Sequence, residues 1–204
     1  MCYPRDVLFI QDFTGSQQPY IDSARAEIRN ICATLMQQGN FAPNDLKFGV
    51  AAYRDHPPQA RSFVTNALTP RHGSNREQVA FTTDPGTVAS VLSSLEADEG
   101  GDGPEAVADA LQMGLRAEWR NGASKVAILI TDAPPHGIGE DGDGFPNGCP
   151  LRTCPFFWNG PRISLSCHRD RSITRSVLYG QCWDYSRMSI HNSLYSNDNK
   201  KCSM

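Results

Sequence analysis

The apolar residues of this chain fall into short continuous runs and into repeats of three and four positions. Continuous runs that end in polar loops predict strands buried on both faces of a parallel sheet, and they occur at Asp6–Asp12, Leu46–Tyr53 and Lys125–Thr131. A further strand is predicted between the second and third runs, either at Phe63–Leu68 or at Val79–Thr82. The pattern leaves the choice between these two segments open.

Helical spacing occurs in three places between the predicted strands. An amphipathic helix is predicted over Tyr20–Gln38, because its apolar residues recur at three- and four-residue steps. Asp84 and Pro85 predict the start of a second helix, and Pro104 and Glu105 predict a third, with Glu105 in its first turn. The order strand, helix, strand, strand, helix, helix, strand predicts an α/β fold with a doubly wound, mostly parallel sheet and helices on both faces.

The character of the sequence changes after Ile138, where Pro, Gly, Asn, Cys, Arg and Ser dominate. Only Arg162–Ser166 and Ser176–Tyr179 resemble strands there, and no amphipathic helix follows. We therefore expect an α/β domain over residues 5–148 that is incomplete at its C-terminal end. Residues 149–204 are expected to form an irregular tail containing Cys, Ser and Arg.

Composition limits the partners of the chain. A length of 204 residues suits one domain. The net charge of -3 and the absence of a Lys/Arg stripe in the sequence provide no positive surface to attract a phosphate backbone, so nucleic acid is not an expected partner. No apolar run approaches the roughly 20 residues of a membrane helix, and the N-terminus lacks a signal-peptide pattern. We therefore expect no membrane contact and a cytoplasmic location. The seven cysteines are expected to be reduced, without the spacing of a zinc clamp.

Oxygen-bearing side chains follow the first and last predicted strands and the Gly-rich break before the third helix. They are Asp12, Thr14 and Ser16 after the first strand, Asp102 in the break and Glu105 just after it, and Asp132 after the last strand. Because ligands bind beyond the carboxyl ends of parallel strands, these segments are expected to converge. Carboxylates and hydroxyls are the hard donors that Mg²⁺ or Mn²⁺ prefers. We therefore predict a site for Mg²⁺, or Mn²⁺, on Asp12, Thr14, Ser16, Glu105 and Asp132.

Other polar residues have simpler interpretations. Asp55 and His56 are expected to anchor a loop after the second strand, and His136 is a secondary candidate for the rim of the ion site. The acidic segment Glu140–Gly144 lacks the ligands of a calcium loop and is interpreted as a turn. Asp12 and Ser16 could also simply cap the following helix, and only the combination of their segment with the two others favours a cation.

The three segments together resemble the von Willebrand factor A domains. The metal-ion-dependent adhesion site of that family has a DxSxS-like motif, a Thr or acidic residue in a second loop and an Asp in a third. The motif Asp12–Ser16 matches the first, with Thr in place of its first Ser, and Asp132 matches the third. The resemblance covers about residues 5–148 and implies a Rossmann-like fold.

The second loop resembles particular branches of the family. Its Asp-Gly-Pro-Glu turn is similar to the D-x-P-E turn in the A-like domains of integrin β chains, which implies that Glu105 reaches the central ion and Asp102 an adjacent one. The chain also resembles the A-type domains associated with α-kinases and hemicentin-like proteins in three short segments, Tyr53–His56, Gly101–Glu105 and Asp132–Gly137.

The resemblance implies a protein-binding module without enzymatic activity. A carboxylate from an Asp or Glu of a partner protein would complete the coordination of the metal ion. Two alternatives stay open from the sequence. One is a nonfunctional fragment, because the predicted sheet lacks its last strands. The other is a Mg²⁺-dependent phosphoryl-transfer hydrolase, although such enzymes carry a second Asp where Thr14 stands.

Overall fold

The computed structural model describes residues 3–38, 41–42, 44–70, 78–148 and 164–168 of the chain. Within these residues, five strands form one sheet in the order β3-β2-β1-β4-β5, and three α-helices accompany them. The elements are, in chain order, β1 (Arg5–Asp12), α1 (Ile21–Gln38), β2 (Leu46–Tyr53), β3 (Thr65–Ala67), α2 (Pro85–Ser93), α3 (Val107–Leu115), β4 (Ser124–Ile130) and β5 (Ser164–His168).

β1 is an inner strand that pairs in parallel with β2 on one side and with β4 on the other. Its side chains are buried on both faces, as Phe9 and Ile10 show. The carboxyl ends of these three strands lie at the same edge of the sheet, where Asp12 is in register with Tyr53 and β4 ends at Ile130. This is the edge at which an open α/β sheet binds its ligands.

Helices cover both faces of the sheet. Ile28 of α1 and Leu92 of α2 belong to the same buried cluster as Phe9, on one face of β1. Met113 of α3 belongs to the cluster that contains Leu8, on the opposite face. The prediction of a doubly wound, mostly parallel α/β sheet is therefore confirmed. None of the helices in the described part of the chain has the length and hydrophobicity needed to cross a lipid bilayer.

The third strand resolves the choice that the sequence left open. β3 lies inside the predicted segment Phe63–Leu68 and pairs antiparallel with β2. The other candidate, Val79–Thr82, is not a strand of this sheet and forms isolated bridges with Pro70 and Phe48. The sheet is thus mostly parallel with one short antiparallel edge strand.

The third helix begins later than predicted, and the placement of Glu105 in its first turn is wrong. α3 starts at Val107, so Glu105 precedes the helix. The backbone N–H of Glu105 donates to the carbonyl of Pro134 at 2.9 Å, and Glu105 also forms a bridge with Pro135. This pairing with the loop after β4 takes the backbone of Glu105 away from the helical conformation.

β5 lies within the segment that the sequence predicts as an irregular tail. Its residues pair in parallel with β4, with Ser164 opposite Val126. β5 overlaps Arg162–Ser166, one of the two segments that resemble strands in this part of the sequence. Residues 149–163 and 169–204 lie outside the described residues, and so do Ser176–Tyr179 and the thiols of Cys149 and Cys154. The domain boundary at residue 148 stays a prediction.

Replacement of Gly114 by valine is expected to destabilise the fold. A Cβ atom at this position of α3 would lie 2.9 Å from Cδ1 of Ile10 and 3.2 Å from Cδ2 of Leu8, which are both fully buried. Overpacking of a core costs roughly 1–3 kcal/mol, and we expect Gly114→Val to lower the free energy of unfolding in urea by about this amount. The control, Ser90→Val at an exposed position of α2, should change it by less than about 0.5 kcal/mol. Equal effects of the two variants would contradict this close packing.

Candidate metal centre

Asp12 ends β1 and is fully buried. Its Oδ1 accepts hydrogen bonds from the backbone N–H of Thr14 at 2.9 Å and from the Thr14 hydroxyl at 2.7 Å. Its Oδ2 accepts hydrogen bonds from the hydroxyls of Thr131 at 2.9 Å and Tyr53 at 3.2 Å. Thr14 follows β1, Tyr53 ends β2 and Thr131 follows β4, so residues from three neighbouring strands fix the position of this carboxylate.

A chain of side-chain hydrogen bonds connects the loop after β1 with the loop after β4. Gly15–Gln17 form a short 3₁₀ turn, in which Oγ of Ser16 lies 3.2 Å from Oγ1 of Thr14. The hydroxyl of Ser16 donates to Oδ1 of Asp132 at 3.1 Å. Four of the predicted ligands are thus connected side chain to side chain, and we refer to Asp12, Thr14, Ser16 and Asp132 as the hydroxyl circuit.

Glu105 reaches the hydroxyl circuit from the turn before α3. Its side chain is buried, and its Oε2 has no hydrogen-bond partner. Gly100 shows that Glu105 lies beside Thr14, because a Cβ atom on Gly100 would be 2.9 Å from Oε1 of Glu105 and 3.1 Å from Cβ of Thr14. Gly100 has a φ of +83°, which glycine adopts without steric cost. The turn therefore places the buried carboxyl group of Glu105, one oxygen of which has no partner, beside the first loop.

The pKa values of Asp12 and Glu105 are raised because burial separates their negative charge from water. Burial raises the pKa of Asp12 to about 6, although hydrogen bonds from Thr14 and Thr131 act in the opposite direction. Burial also raises the pKa of Glu105 to about 9, and the nearby charges of Asp12 and Asp55 add to this rise. A cation between these groups would favour their ionised forms, because an opposite charge lowers the pKa of a carboxyl.

Arg54 holds the loops around Asp12 in place. It follows β2 and is buried, with Nε donating to the carbonyl of Phe13 at 3.1 Å and Nη2 to the carbonyl of Glu96 at 2.7 Å. Its Nη1 lies 3.0 Å from Oε2 of Glu99. Hydrogen bonds from Ser62, and then from neighbouring groups that include Arg54, lower the pKa of Glu99 to about 2. Sequence reasoning assigned no role to Arg54, since arginine is rarely buried unless it is paired.

Asp102 belongs to a second group of side chains rather than to the hydroxyl circuit. Its Oδ2 accepts a hydrogen bond from the backbone N–H of Gly144 at 2.6 Å. Ligand atoms of Asp55, Asp102 and His136 lie within 4.8 Å of one another, and we call these three residues the histidine cluster. The two groups are close enough for the charges of Asp55 and Asp102 to raise the pKa of Glu105.

Asp55 and His136 contact each other at the ligand-binding edge of the sheet. Asp55 is fully buried, and its Oδ1 lies 2.6 Å from Nε2 of His136. Nδ1 of His136 lies 2.8 Å from Oδ1 of Asp143, in the segment interpreted as an acidic turn. His56 is not part of this group, because its Nε2 pairs with Asp109 at 3.0 Å. The usable signal in the sequence was that Asp55 lies two residues after the end of β2, at the ligand-binding edge of the sheet.

Comparison with known proteins gives a curated relative that is a kinase. Alpha-protein kinase vwkA of Dictyostelium discoideum is 31% identical to this chain over 147 residues. The match covers 71% of this chain but 21% of the kinase, so the chain spans about a fifth of that protein's length. No family model matches the chain.

Solved structures that resemble the chain share low sequence identity with it. The vWF domain of the type V pili tip protein Mfa5 from Porphyromonas gingivalis is 18% identical, with a TM-score of 0.45, and the match covers 70% of this chain and 46% of that one. The SpRpn10 VWA domain is 12% identical, with a TM-score of 0.45, over 64% of this chain and 60% of that one. The protein BatB from Bacteroides thetaiotaomicron is 16% identical, with a TM-score of 0.44, over 80% and 65%.

Gly100→Ala is expected to disturb both the backbone and the predicted ligands. An L-residue in the left-handed conformation costs roughly 1–2 kcal/mol, and the new Cβ would meet Oε1 of Glu105 at 2.9 Å. We expect a lower melting temperature and a weaker stabilisation by MgCl₂, both followed by circular dichroism. Gly103→Ala is the matched control, because a Cβ there meets nothing within 4 Å. If the two variants melt alike with and without Mg²⁺, the arrangement described for Glu105 is incorrect.

Proposed function

Since the chain is similar to von Willebrand factor A domains, we propose that it is a protein-binding module whose interactions depend on a divalent cation. The proposed ion is Mg²⁺, or Mn²⁺. The proposed ligands are the side chains of Asp12, Thr14, Ser16, Glu105 and Asp132. A carboxylate from an Asp or Glu of a partner protein completes the coordination, and no covalent bond is made or broken.

The unpartnered Oε2 of Glu105 is the observation that carries this proposal. A buried carboxylate oxygen without a hydrogen-bond donor destabilises the folded state, because burial removes its hydrogen bonds to water and no protein donor replaces them. Asp12 and Asp132 add negative charge nearby, since the charge of Asp12 raises the pKa of Glu105 and Asp132 lies one hydrogen bond from Ser16. A divalent cation among these oxygens offsets the cost for all three carboxylates.

The mixture of donors explains why an external carboxylate would bind. Mg²⁺ takes six oxygens in near-octahedral geometry. One oxygen from each of the five proposed ligands leaves a position for a further oxygen. Thr14 and Ser16 contribute neutral hydroxyls, so the ion retains more of its positive charge than in a shell of carboxylates alone. That charge attracts an anionic side chain.

Three further features belong to the proposal. We assign the module to residues 5–148 and give it no enzymatic activity, since Thr14 stands where a phosphoryl-transfer enzyme has its second Asp. The partner is a protein rather than nucleic acid, in agreement with the net charge of -3. The proposed location is intracellular, without membrane contact. Asp102 is left out of the proposed shell because its contacts lie in the histidine cluster.

Thermal unfolding of the purified chain in Mg²⁺, Mn²⁺ or EDTA tests the ion site. A ligand of the folded state raises stability by RT ln(1 + [L]/Kd), which is about 2.7 kcal/mol at a hundredfold excess over Kd. We expect both cations to raise the melting temperature of the unaltered chain and of Asp22→Ala, a control at a side chain 93% exposed. Asp12→Ala and Asp132→Ala should melt cooperatively without this increase. If the unaltered chain has the same melting temperature in Mg²⁺, Mn²⁺ and EDTA, the site is excluded.

Binding of acidic peptides tests the role assigned to the partner. We expect the chain to bind members of a peptide library that contain an exposed Asp when Mg²⁺ is present, with at least about tenfold weaker binding after Asp→Asn replacement in the peptide. EDTA, and separately Asp12→Ala in the chain, should abolish binding. Equal affinity for Asp and Asn peptides, or binding that survives EDTA, would contradict coordination by a carboxylate.

A further inference from the structure

We propose that Asn121 is a site of spontaneous deamidation, at which the side-chain amide becomes a carboxylate without the action of an enzyme. Water is the only co-reactant, and ammonia is released. Asn121 lies in the turn between α3 and β4, so the proposal does not depend on the cation site of the proposed function.

The sequence limits the candidates to asparagines that precede a glycine. In deamidation the backbone nitrogen of the following residue must reach Cγ of the asparagine, and glycine has no side chain to hinder this approach. Three such pairs occur in the chain, at Asn121–Gly122, Asn147–Gly148 and Asn159–Gly160. The third pair lies outside the described residues, and the structure distinguishes the first two.

Asn121 and Gly122 form an exposed turn with few restraints. Both residues are exposed, and a Cβ atom added to Gly122 would meet nothing within 4 Å. In the described part of the chain, neither the amide of Asn121 nor the backbone N–H of Gly122 has a hydrogen-bond partner. The backbone N–H of Ala123 donates to the carbonyl of Arg120 across the turn, but at 3.4 Å this bond is long. The reacting nitrogen and carbon can therefore rotate toward each other without breaking a strong contact.

The part that Asn121 plays in the turn does not shield its amide. Asparagine is common in turns because its side chain can bond to nearby backbone groups. Among the described residues Asn121 makes no such bond. The left-handed conformation of the turn is supplied by Gly122, which has a φ of +78°. The amide of Asn121 is therefore left in solvent.

Asn147–Gly148 contains the same two residue types, but its glycine is restrained. The backbone N–H of Gly148 donates to the carbonyl of Phe145 at 2.8 Å. A Cβ atom added to Gly137 would lie 2.6 Å from the nitrogen of Gly148 and 2.5 Å from its Cα, so the two backbone segments are in direct contact. Asp143 holds the same loop by accepting hydrogen bonds from the N–H groups of Gly137 and Phe145. Attack by the nitrogen of Gly148 requires this loop to open first.

The reaction at Asn121 balances with water alone. The backbone nitrogen of Gly122 loses its proton to a base in the solvent and attacks Cγ of Asn121. The bond between Cγ and the amide nitrogen breaks, and that nitrogen takes up a proton and leaves as ammonia. Water then adds to one of the two carbonyls of the resulting succinimide ring and opens it. The product is an aspartyl residue, or an isoaspartyl residue whose main chain runs through the former side chain.

The new carboxylate would lie next to an arginine that connects the ends of the strands. Arg120 donates to the two oxygens of the buried Asp6 at 2.7 and 2.8 Å, and to the carbonyls of Arg5 and Asp45. This network lies at the amino ends of the parallel strands, opposite the candidate metal centre. Deamidation therefore adds one negative charge to the formal net charge of -3 without altering a predicted ligand.

Peptide mapping by mass spectrometry of the aged, tag-free chain tests the proposal. The reduced chain is kept folded at mildly alkaline pH, which favours loss of the backbone proton, and is sampled over days. We expect the peptide that contains Asn121 to gain the mass difference between OH and NH₂ at least about tenfold faster than the peptide that contains Asn147, because the loop around Gly148 must open before it reacts. Electron-transfer fragmentation should identify aspartyl and isoaspartyl products at position 121.

The same chain unfolded in urea is the matched control, because urea removes the restraint on Gly148 and leaves the sequence unchanged. The two peptides should then react at similar rates. In the folded chain, Asn121→Gln should keep its amide, since attack on the longer side chain forms a less favourable six-membered ring. Conversion of Asn147 as fast as Asn121 in the folded chain, or a ratio of rates that urea leaves unchanged, would overturn the proposal. So would an Asn121 that reacts in urea and keeps its amide in the folded chain.

Discussion

Parallel pairing on both sides of β1 is the constraint on which the candidate metal centre depends. Because β2, β1 and β4 run in the same direction, the loops that follow them begin at one edge of the sheet. Asp12 therefore meets the hydroxyls of Tyr53 and Thr131, which lie far from it in the sequence. An antiparallel neighbour in place of either strand would send the corresponding hydroxyl to the opposite edge, and Asp12 would be buried without it.

The segment after β2 contributes to both the hydroxyl circuit and the histidine cluster, because consecutive residues of an extended segment point to opposite sides. Arg54 turns toward the first loop and binds the carbonyl of Phe13, next to Asp12. Asp55, the following residue, turns toward His136. One short segment thus stabilises the loop of the hydroxyl circuit and supplies a carboxylate to the histidine cluster. The buried carboxyl groups differ in their hydrogen-bond partners, which are hydroxyls at Asp12 and an imidazole at Asp55.

The sequence predicted the parts of the fold that depend on local pattern. The bounds of β2 agree with the predicted run Leu46–Tyr53, and β1 begins one residue before the predicted start. The pattern failed where distant backbone or side-chain contacts decide. Glu105 leaves the predicted helix because it pairs with Pro134, and no periodicity records that contact. The candidate site divides in the same way. The convergence of its three segments could be predicted, because it follows from the direction of the strands. The burial of Arg54 could not, because it depends on two carbonyls that only the folded loops bring together.

The distance along the chain between β1 and β4 also sets the order of events during synthesis. Arg5 is in register with Ser124, so the two strands of this central pair are separated by 119 positions, the difference between 124 and 5. A ribosome that adds roughly 5–20 residues per second needs about 6–24 seconds to cover this interval. During that time one edge of β1 has no partner, although its apolar side chains have already left the ribosome. No nascent chain that ends before Thr131 contains the hydroxyl that holds Oδ2 of Asp12, so the contacts of Asp12 are complete only after β4 has been synthesised.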